Sequence, residues 1–182
     1  TELANMHDGE VILRFDDTDT TVKPPSLSAY ELIPKEVEWL LGRPADRIVV
    51  ASDRIQHYYE HAEEMLTKGF GYVCECTAET FREFREAKTN CPCRSKSVEQ
   101  NKNGWNKMLD GTFKPGDAVV RVKTDMTLKN PALRDWPALR LQDTLKNPHP
   151  RPSIGSSYRV WPLLDFQSAV EDRLQGVTHI IR

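Results

Sequence analysis

Residues 11–19 read VILRFDDTD, and this stretch decides the class of fold. The apolar run of residues 11–13 predicts a buried strand, and Asp16 and Asp17 follow at the point where that strand ends. Ligands of open α/β sheets bind outside the carboxyl ends of the strands, so both carboxylates lie where chemistry is expected. From these residues alone, the alternative is that the two acids only cap or turn the chain.

Strand and helix signals alternate on either side of this stretch. Residues 30–40 have apolar side chains at helical spacing, although Pro34 conflicts with an unbroken helix unless the helix begins near it. Residues 48–50 (IVV) predict a second buried strand, and residues 55–66 predict an amphipathic helix. This alternation predicts a parallel α/β sheet over residues 1–70.

The pattern changes at Gly71. From there to Pro152 the sequence contains four cysteines, scattered Gly, Pro and basic residues, and one alternating stretch, AVVRVK at 118–123, that predicts a strand. Residues 147–152 (NPHPRP) are too rich in proline for regular structure. We interpret residues 71–152 as an inserted domain. Alternating character then resumes, with a strand predicted at 158–161, a helix at 166–174 and a strand at 177–181.

Composition and charge describe a globular chain with one basic segment. The 182 residues are 38% hydrophobic and 29% charged, and no apolar run approaches the ~20 residues of a membrane span. We therefore expect no membrane partner and, without a visible signal peptide, a cytoplasmic location. The net charge is −2, yet residues 81–123 carry ten Lys and Arg against five Asp and Glu. That excess predicts either contact with a polyanion or a solvated charged surface.

All four cysteines fall in two close pairs, Cys74-x-Cys76 and Cys91-x-Cys93. Two such pairs in a short, loop-rich segment can supply four thiolates to a tetrahedral Zn²⁺ ion. The alternatives are free thiols or disulfides, and disulfides fit poorly in a reducing cytosol. We favour a structural zinc site, which would be non-catalytic because four cysteines leave no open position on the metal.

Several stretches together resemble the catalytic domain of the glutaminyl- and glutamyl-tRNA synthetases. They are RFDDTD at 14–19, Ser52-Asp53, Tyr72-Val73, NPALRD at 130–135 and YRVWPLLDFQSAVEDRLQGVTHIIR at 158–182. The last is most similar to the archaeal and eukaryotic glutamyl branch. The resemblance implies a class I Rossmann-type parallel sheet with an inserted acceptor-stem-binding α+β domain. It also implies that ATP, with Mg²⁺, activates glutamate for transfer to tRNA.

The resemblance divides the chain into three parts. Residues 1–70 would be the first half of the Rossmann portion, without its first strand, and residues 153–182 would begin the second half. Residues 71–152 would be the acceptor-binding insertion, in which some glutamyl enzymes carry zinc. Its basic side chains could contact tRNA phosphates. They include Arg82, Arg85, Lys88, Arg94, Lys96, Lys102 and Lys107, although part of residues 82–88 can equally be a solvated helix face.

The resemblance assigns three substrate-binding residues. Asp16 would bind the ammonium group of the amino acid, and Arg14 would lie close to the same site. Arg182 would meet the glutamate side chain with charge-assisted hydrogen bonds and reject the amide of glutamine. No catalytic residue is assigned. Asp17 and Thr18 are expected to hold the loop.

The sequence departs from the family pattern at three positions. Leu164 stands where the family usually has a tyrosine that lines the amino-acid pocket, and Ser168 stands where the glutaminyl enzymes have histidine. Thr20 replaces a usual proline. Neither the tyrosine contact nor the histidine contact can therefore be transferred to this chain.

Neither a HIGH-type nor a KMSKS-type motif occurs in the sequence. In the family both position the ATP phosphates during adenylate formation. We therefore expect an internal segment of the catalytic region that cannot activate an amino acid alone. The alternatives are a glutaminyl-tRNA synthetase segment, a paralogue that attaches glutamate to queuosine, and a zinc-stabilised RNA-binding module without catalysis. Arg182 disfavours the glutaminyl-tRNA synthetase. The long insertion disfavours the queuosine-modifying paralogue, and the RFDDTD and THIIR stretches disfavour a non-catalytic RNA-binding module.

Overall fold

The computed structural model describes residues 2–181, which form two sheets with helices packed around them. The helices are α1 (Glu2–Met6), α2 (Ala29–Leu41), α3 (Ile55–Thr67), α4 (Ala78–Glu86), α5 (Val98–Leu109) and α6 (Leu164–Gln175). The strands are β1 (Ile12–Phe15), β2 (Arg47–Val50), β3 (Gly71–Cys74), β4 (Val119–Val122), β5 (Pro137–Leu141) and β6 (Val160–Pro162). Three short 3-10 helices lie at Ala51–Arg54, Pro92–Ser95 and Pro131–Leu133. None of the helices in this part of the chain has the length and apolar character that a membrane crossing requires.

The first sheet is the predicted parallel pair. Residues 12–15 of β1 lie opposite residues 47–50 of β2, and α2 makes the crossover that parallel strands need. Helix α2 continues through Pro34, which lies in its second turn and removes only the hydrogen bond to the Tyr30 carbonyl. The helix ends at Gly42, whose φ of 71° is a left-handed conformation that glycine adopts readily.

The second sheet is antiparallel, with the strand order β3-β4-β5-β6. Its register shifts between Val120 and Arg121, where Pro137 begins β5 opposite Arg121. A proline at the first residue of a strand and beside a bulge costs the sheet little, since its missing N–H falls where the ladder is already irregular.

Helices α3, α5 and α6 pack against this second sheet and form the main core. Tyr58 of α3, Trp105 of α5 and Trp161 of β6 are 0%, 2% and 0% exposed. Helix α5 approaches β3 so closely that a Cβ atom on Gly104 would lie only 3.0 Å from Cγ1 of Val73. A larger residue at this position would push the helix away from the sheet.

A second, smaller core lies on the other face of β3 from the main core. Val73 belongs to the main core, whereas Tyr72 and Cys74 pack with Phe81 of α4 and with Cys91. This alternation follows from the two-residue period of a strand. The smaller core therefore lies immediately around the cysteines.

Two predictions for the end of the chain differ from the structure. The strand predicted at 158–161 exists as β6, but it pairs antiparallel with β5 and so extends the second sheet rather than the parallel one. The strand predicted at 177–181 is wrong, because these residues have no regular structure. An apolar run forms a strand only where a neighbouring strand satisfies its backbone, and Ile181 is 90% exposed.

Candidate functional site

The loop after β1 is anchored by Asp17, which is 5% exposed. The backbone N–H of Ser52 donates to its Oδ1 at 2.8 Å, and the hydroxyls of Ser52 and Tyr30 each donate to its Oδ2 at 2.6 Å. Ser52 lies in the 3-10 helix that follows β2, so these bonds join the carboxyl ends of two neighbouring parallel strands. Asp17 is thus positioned to hold the loop.

Asp17 stays ionised despite its burial. Burial raises the pKa of its carboxyl, but hydrogen bonds donated by His149, Ser52 and Tyr30 outweigh burial and bring the pKa below the ordinary value of 3.8. The same carboxylate, together with burial, raises the pKa of the Tyr30 hydroxyl, which therefore keeps its proton. The result is a fixed negative charge beneath the loop.

His149 reaches this anchor from the segment between β5 and β6 (residues 142–159), which we call the strap. Its Nε2 lies 2.9 Å from the backbone oxygen of Asp17 and 3.4 Å from Oδ2. The backbone N–H of Arg151 donates to Nδ1 at 3.2 Å, so these partners assign the ring proton to Nε2. The ring is 2% exposed and stacks on Trp161 with centroids 5.7 Å apart.

Arg151 connects the strap to the 3-10 helix that follows β2. Its Nη1 donates to Oδ1 of Asp53 and its Nη2 to Oδ2, at 2.8 and 3.0 Å, in the bidentate geometry typical of arginine with a carboxylate. Nη1 also lies 2.8 Å from the Ser52 hydroxyl. Asp53 raises the pKa of Arg151, which keeps its charge.

Gln142 fixes the far end of the loop. Its Oε1 accepts from the backbone N–H and the hydroxyl of Thr20 at 3.1 and 2.6 Å, and its Nε2 donates to the Thr18 carbonyl at 3.0 Å. Beside it, Arg140 of β5 donates to Oδ1 of Asp19 at 3.1 Å. Thr20 stands where the resemblance leads one to expect a proline, which would stiffen the loop, and it holds the loop instead by two buried hydrogen bonds to Gln142.

Asp16 lies next to this anchored loop, at the carboxyl end of β1. Arg14 Nε donates to its Oδ1 at 2.8 Å, and Gln167 of α6 donates to the same oxygen. Its side chain is 34% exposed, whereas that of Asp17 is 3% exposed. Of the two acids, Asp16 is the one that a ligand can reach.

Arg14 pairs with Asp16, and its guanidinium is also held by α6. Nη1 donates to Asp172 at 2.6 Å and Nη2 to the Ser168 hydroxyl at 3.2 Å. Burial lowers the pKa of Arg14, but the hydrogen bonds and charges of Asp172 and Asp16 outweigh it and raise the pKa. Arg14 is therefore a permanent cation that joins β1 to α6.

The remaining predicted substrate residue, Arg182, lies outside the described residues. Leu164, at the start of α6, is 50% exposed and offers no polar group in place of the family tyrosine. Ser168 is 3% exposed and is used by Arg14, so it contributes to the support of the site. Trp161 and Phe166 are buried in the main core.

The four cysteines form one cluster. The sulfur atoms of Cys74, Cys76, Cys91 and Cys93 all lie within 4.8 Å of one another, and the Cys74–Cys91 and Cys76–Cys93 pairs are 4.0 and 3.8 Å apart. Four thiolates bound at ~2.3 Å from a tetrahedral zinc ion would be separated by about 3.8 Å. Bonded sulfurs would be about 2 Å apart, so the arrangement fits a metal better than it fits disulfides.

The surroundings favour a thiolate at Cys91. The contact with Cys74 and nearby backbone N–H groups lower the pKa of Cys91 against the effect of burial. The same contact and burial raise the pKa of Cys74. A cation between the sulfurs would stabilise the remaining thiolates, because metal-bound cysteine is deprotonated.

A buried carboxylate, Asp135, supports the cluster from behind. It is 0% exposed and accepts hydrogen bonds from the Tyr72 hydroxyl at 2.9 Å, from the Thr124 backbone at 2.8 Å and from Arg94. Tyr72 thereby links Asp135 to Cys91. The NPALRD stretch is structural at this point, since its aspartate completes the support of the cysteines.

Two of the seven basic residues named above as candidates for tRNA contact are engaged internally. Arg94 donates to Asp135 and to the Thr124 carbonyl, and Lys96 to the Val73 carbonyl and to Glu75. The side chains best placed to meet a partner are the exposed ones. They are Arg82, Lys88 and Lys102.

Sequence reasoning did not find Gln167, Gln142, His149 or Arg151. The only signal for the last two was their position in NPHPRP, where three prolines restrict the backbone on either side of a histidine and an arginine. The stretch has no regular structure, but it is stiff enough to carry the buried contacts of His149 and Arg151.

Comparisons with known proteins agree with this geometry. Residues 2–182 match the family described as tRNA synthetases class I (E and Q), catalytic domain. The chain is 53% identical over 182 residues to a glutamate–tRNA ligase of Pyrococcus abyssi and 50% identical over 181 residues to that of Nanoarchaeum equitans. These alignments cover 100% and 99% of this chain but only 31% of each relative.

A solved structure has the same fold. A glutamate tRNA ligase from Elizabethkingia meningosepticum, in complex with its amino acid, superposes with a TM-score of 0.61 at 19% identity, over 99% of this chain and 38% of that one. The expected class I synthetase α/β fold is confirmed. The chain therefore belongs to the family of class I tRNA synthetase catalytic domains specific for glutamate and glutamine.

Proposed function

We propose that this chain is the amino-acid-binding part of a glutamate–tRNA ligase, together with the insertion that receives the acceptor stem of the tRNA. The observation that carries the proposal is the place of Asp16. It is an accessible carboxylate at the carboxyl end of a parallel strand, braced by Arg14 and set beside a loop that Asp17 anchors. A fixed carboxylate in this position suits an α-ammonium group.

The reaction has two steps. The α-carboxylate of glutamate attacks the α-phosphorus of ATP and releases pyrophosphate, and a ribose hydroxyl of the 3′-terminal nucleotide of the tRNA then attacks the adenylate carbonyl and releases AMP. ATP is used with Mg²⁺, and we assign no residue among 2–181 to either. The residues of this chain bind and orient the amino acid, and the reaction takes place in the cytoplasm, where we expect the protein.

Specificity for glutamate would come from Arg182. A guanidinium can donate two charge-assisted hydrogen bonds to the side-chain carboxylate of glutamate. The amide of glutamine would present an NH₂ donor to the same cation and leave it unpaired, which costs binding. The names of the 50–53% identical relatives, all glutamate–tRNA ligases, support this choice over a glutaminyl enzyme.

The insertion, residues 71–152, would hold the acceptor stem and be stabilised by zinc. Its domain limits are part of this proposal, as is the division of the catalytic portion into residues 1–70 and 153–182. Cys74, Cys76, Cys91 and Cys93 would bind one structural Zn²⁺ ion, which would crosslink β3 to the segment before α5. Exposed lysines and arginines would contact phosphates without reading sequence.

The test is amino-acid activation by the full-length protein, followed as pyrophosphate exchange in the presence of tRNA. We expect wild type to prefer glutamate strongly over glutamine and Asp16→Asn to raise the KM for both amino acids while keeping measurable activity. The Arg182→Ala variant should lose the preference for glutamate. Preference for glutamine in wild type would instead identify a glutaminyl enzyme. RNA binding without any exchange would favour a non-catalytic RNA-binding module.

A further inference from the structure

Asp16 receives both of its protein hydrogen bonds on one carboxylate oxygen. Arg14 Nε and Gln167 Nε2 each donate to Oδ1. Within residues 2–181 no donor lies within hydrogen-bond reach of Oδ2, although 34% of the side chain is exposed. A carboxylate has lone pairs on both oxygens, so Oδ2 is the acceptor that remains for a ligand.

The orientation of the Gln167 amide follows from its neighbours. The side chain is 0% exposed at the start of α6, and Thr18 Oγ1 lies 2.6 Å from its Oε1. An ionised carboxylate only accepts hydrogen bonds, so the amide must turn its NH₂ group toward Asp16 and its oxygen toward the Thr18 hydroxyl. Both ends of Gln167 are therefore fixed, and with them the rotation of the Asp16 carboxylate.

A neutral residue suits this role better than a second cation. Arg14 shares its charge between Asp16 and Asp172, to which it donates at 2.8 and 2.6 Å. A lysine or arginine at position 167 would compensate the remaining charge of Asp16 and weaken its attraction for a cationic ligand. The amide orients the carboxylate while leaving its negative charge available.

From these contacts, we propose that Gln167 is a positioning residue that fixes Asp16 with Oδ2 presented to the α-ammonium group of the amino-acid substrate. The inference rests on the proposed function, because it needs a substrate with an ammonium group. Fixing the acceptor before binding removes the entropy cost of orienting it, which is the general benefit of preorganisation. Loss of Gln167 should therefore weaken amino-acid binding more than it slows turnover.

The experiment measures KM for glutamate and kcat in tRNA-dependent activation by the full-length protein. Gln167→Met removes the amide at nearly constant size, and Gln175→Met makes the same change elsewhere on α6, where Gln175 donates to Glu171 at 3.0 Å. We expect the first variant to raise KM about tenfold or more, as for a lost hydrogen bond to a charged group, with kcat changed less than twofold. We expect Gln175→Met to leave KM unchanged.

Two further comparisons separate positioning from a general structural effect. In an Asp16→Asn background, Gln167→Met should add little to the rise in KM, because the residue acts through Asp16. Gln167→Glu should be impaired near neutral pH, where two carboxylates repel, and should recover as the pH falls and the new side chain gains a proton. A structural defect would follow neither pattern.

The inference is overturned if Gln167→Met matches Gln175→Met in KM, or if its effect is fully additive with that of Asp16→Asn. A wild type that activates glutamine instead of glutamate would overturn only the proposed function. Glutamine carries the same ammonium group, so a raised KM for glutamine in Gln167→Met would still support the role of Gln167. A wild type that activates neither amino acid would overturn both.

Discussion

The ring Nε2 of His149 lies 2.9 Å from the backbone oxygen of Asp17, although 132 positions separate the two residues in the chain. This bond ties the strap to the loop that follows β1. His149 is also stacked on Trp161, so its contribution to stability has a polar part and a packing part. Substitutions can separate the two.

His149→Phe should keep the stacking and remove the hydrogen-bond donor. We expect the free energy of unfolding to fall by about 1–3 kcal/mol, the cost of leaving a buried carbonyl without a partner. His149→Ala should cost more, about 3–5 kcal/mol, because it also opens a cavity beside Trp161. Urea unfolding measures both losses of stability.

The matched control is His57→Phe on the exposed surface of α3, which should change stability by less than about 0.5 kcal/mol. Equal losses of stability in His149→Phe and His57→Phe would show that the hydrogen bond from His149 to the Asp17 carbonyl does not stabilise the fold.

The lowered pKa of Asp17 predicts a pH dependence of stability with a definite sign. Because the folded-state pKa lies below the unfolded value of about 3.9, the carboxylate stabilises the fold above that pH, and this contribution is lost as the pH falls further. The difference in unfolding free energy between wild type and Asp17→Asn should therefore be largest near neutral pH. It should shrink progressively below about pH 4. A difference that stays constant down to about pH 2.5 would show that the pKa of Asp17 is the same in the folded and unfolded states, and a difference that changes in the opposite direction would show that the carboxyl is protonated in the fold.

Asp135 should be one of the more sensitive positions in the chain. Its φ of 40° is left-handed, a conformation that asparagine tolerates well, so Asp135→Asn tests the charge while leaving the backbone preference nearly unchanged. We expect a loss of about 3–5 kcal/mol, because Arg94 then keeps a largely buried charge without its carboxylate. Chemical denaturation measures this, with Asp125→Asn, at an exposed acid in the neighbouring turn, as the control. A loss below about 1 kcal/mol would contradict the role of Asp135.

The exposed and internal basic residues of the insertion should differ in their effect on RNA binding. Arg82→Ala and Lys102→Ala should weaken binding of an acceptor-stem RNA hairpin and reduce the salt dependence by about one unit per lost phosphate contact. Arg94→Ala should mainly lower stability, since Arg94 is bonded to Asp135. Lys35→Ala, on exposed α2 outside the insertion, is the control. Titrations by fluorescence anisotropy at several salt concentrations distinguish these results, and equal salt slopes for Lys35→Ala and Lys102→Ala would rule out a contact at Lys102.

The parts of the fold that could be predicted from sequence are those with a local signal. Helix α3 follows from the helical spacing of Ile55, Tyr58, Ala62 and Leu66, and β4 from the alternation of AVVRVK. The pairing of β6 with β5 could not be predicted, because eighteen residues of irregular strap separate the two strands. Strand direction in a sheet depends on such distant partners and not on the composition of the strand.

The site divides in the same way. Arg14 lies in a recognisable strand and Asp16 directly follows it, so their place in the fold could be predicted, and the four cysteines are recognisable as two close pairs in the sequence. Gln167 could not be found, because a glutamine at the start of a helix has no distinctive local pattern. Its role depends on the packing of α6 beside β1, which joins residues 151 positions apart.

Zinc binding is the prediction with the clearest readout. The purified chain should contain one zinc per molecule by elemental analysis, and chelation should lower its thermal midpoint by several degrees, since metal binding stabilises only the folded form. Cys91→Ser should lose the metal, because it removes one of the four sulfur ligands. Ser95→Ala, at an exposed residue between the cysteines and α5, is the control and should retain the metal.

Intact-mass measurement adds a second check on the cysteines. Disulfides would lower the mass of the metal-free chain by about 2 Da per bond, whereas zinc ligands leave four free thiols. Four reactive thiols in untreated protein, with no metal bound, would contradict the assignment. The cluster would then be a set of reduced cysteines packed beneath Tyr72.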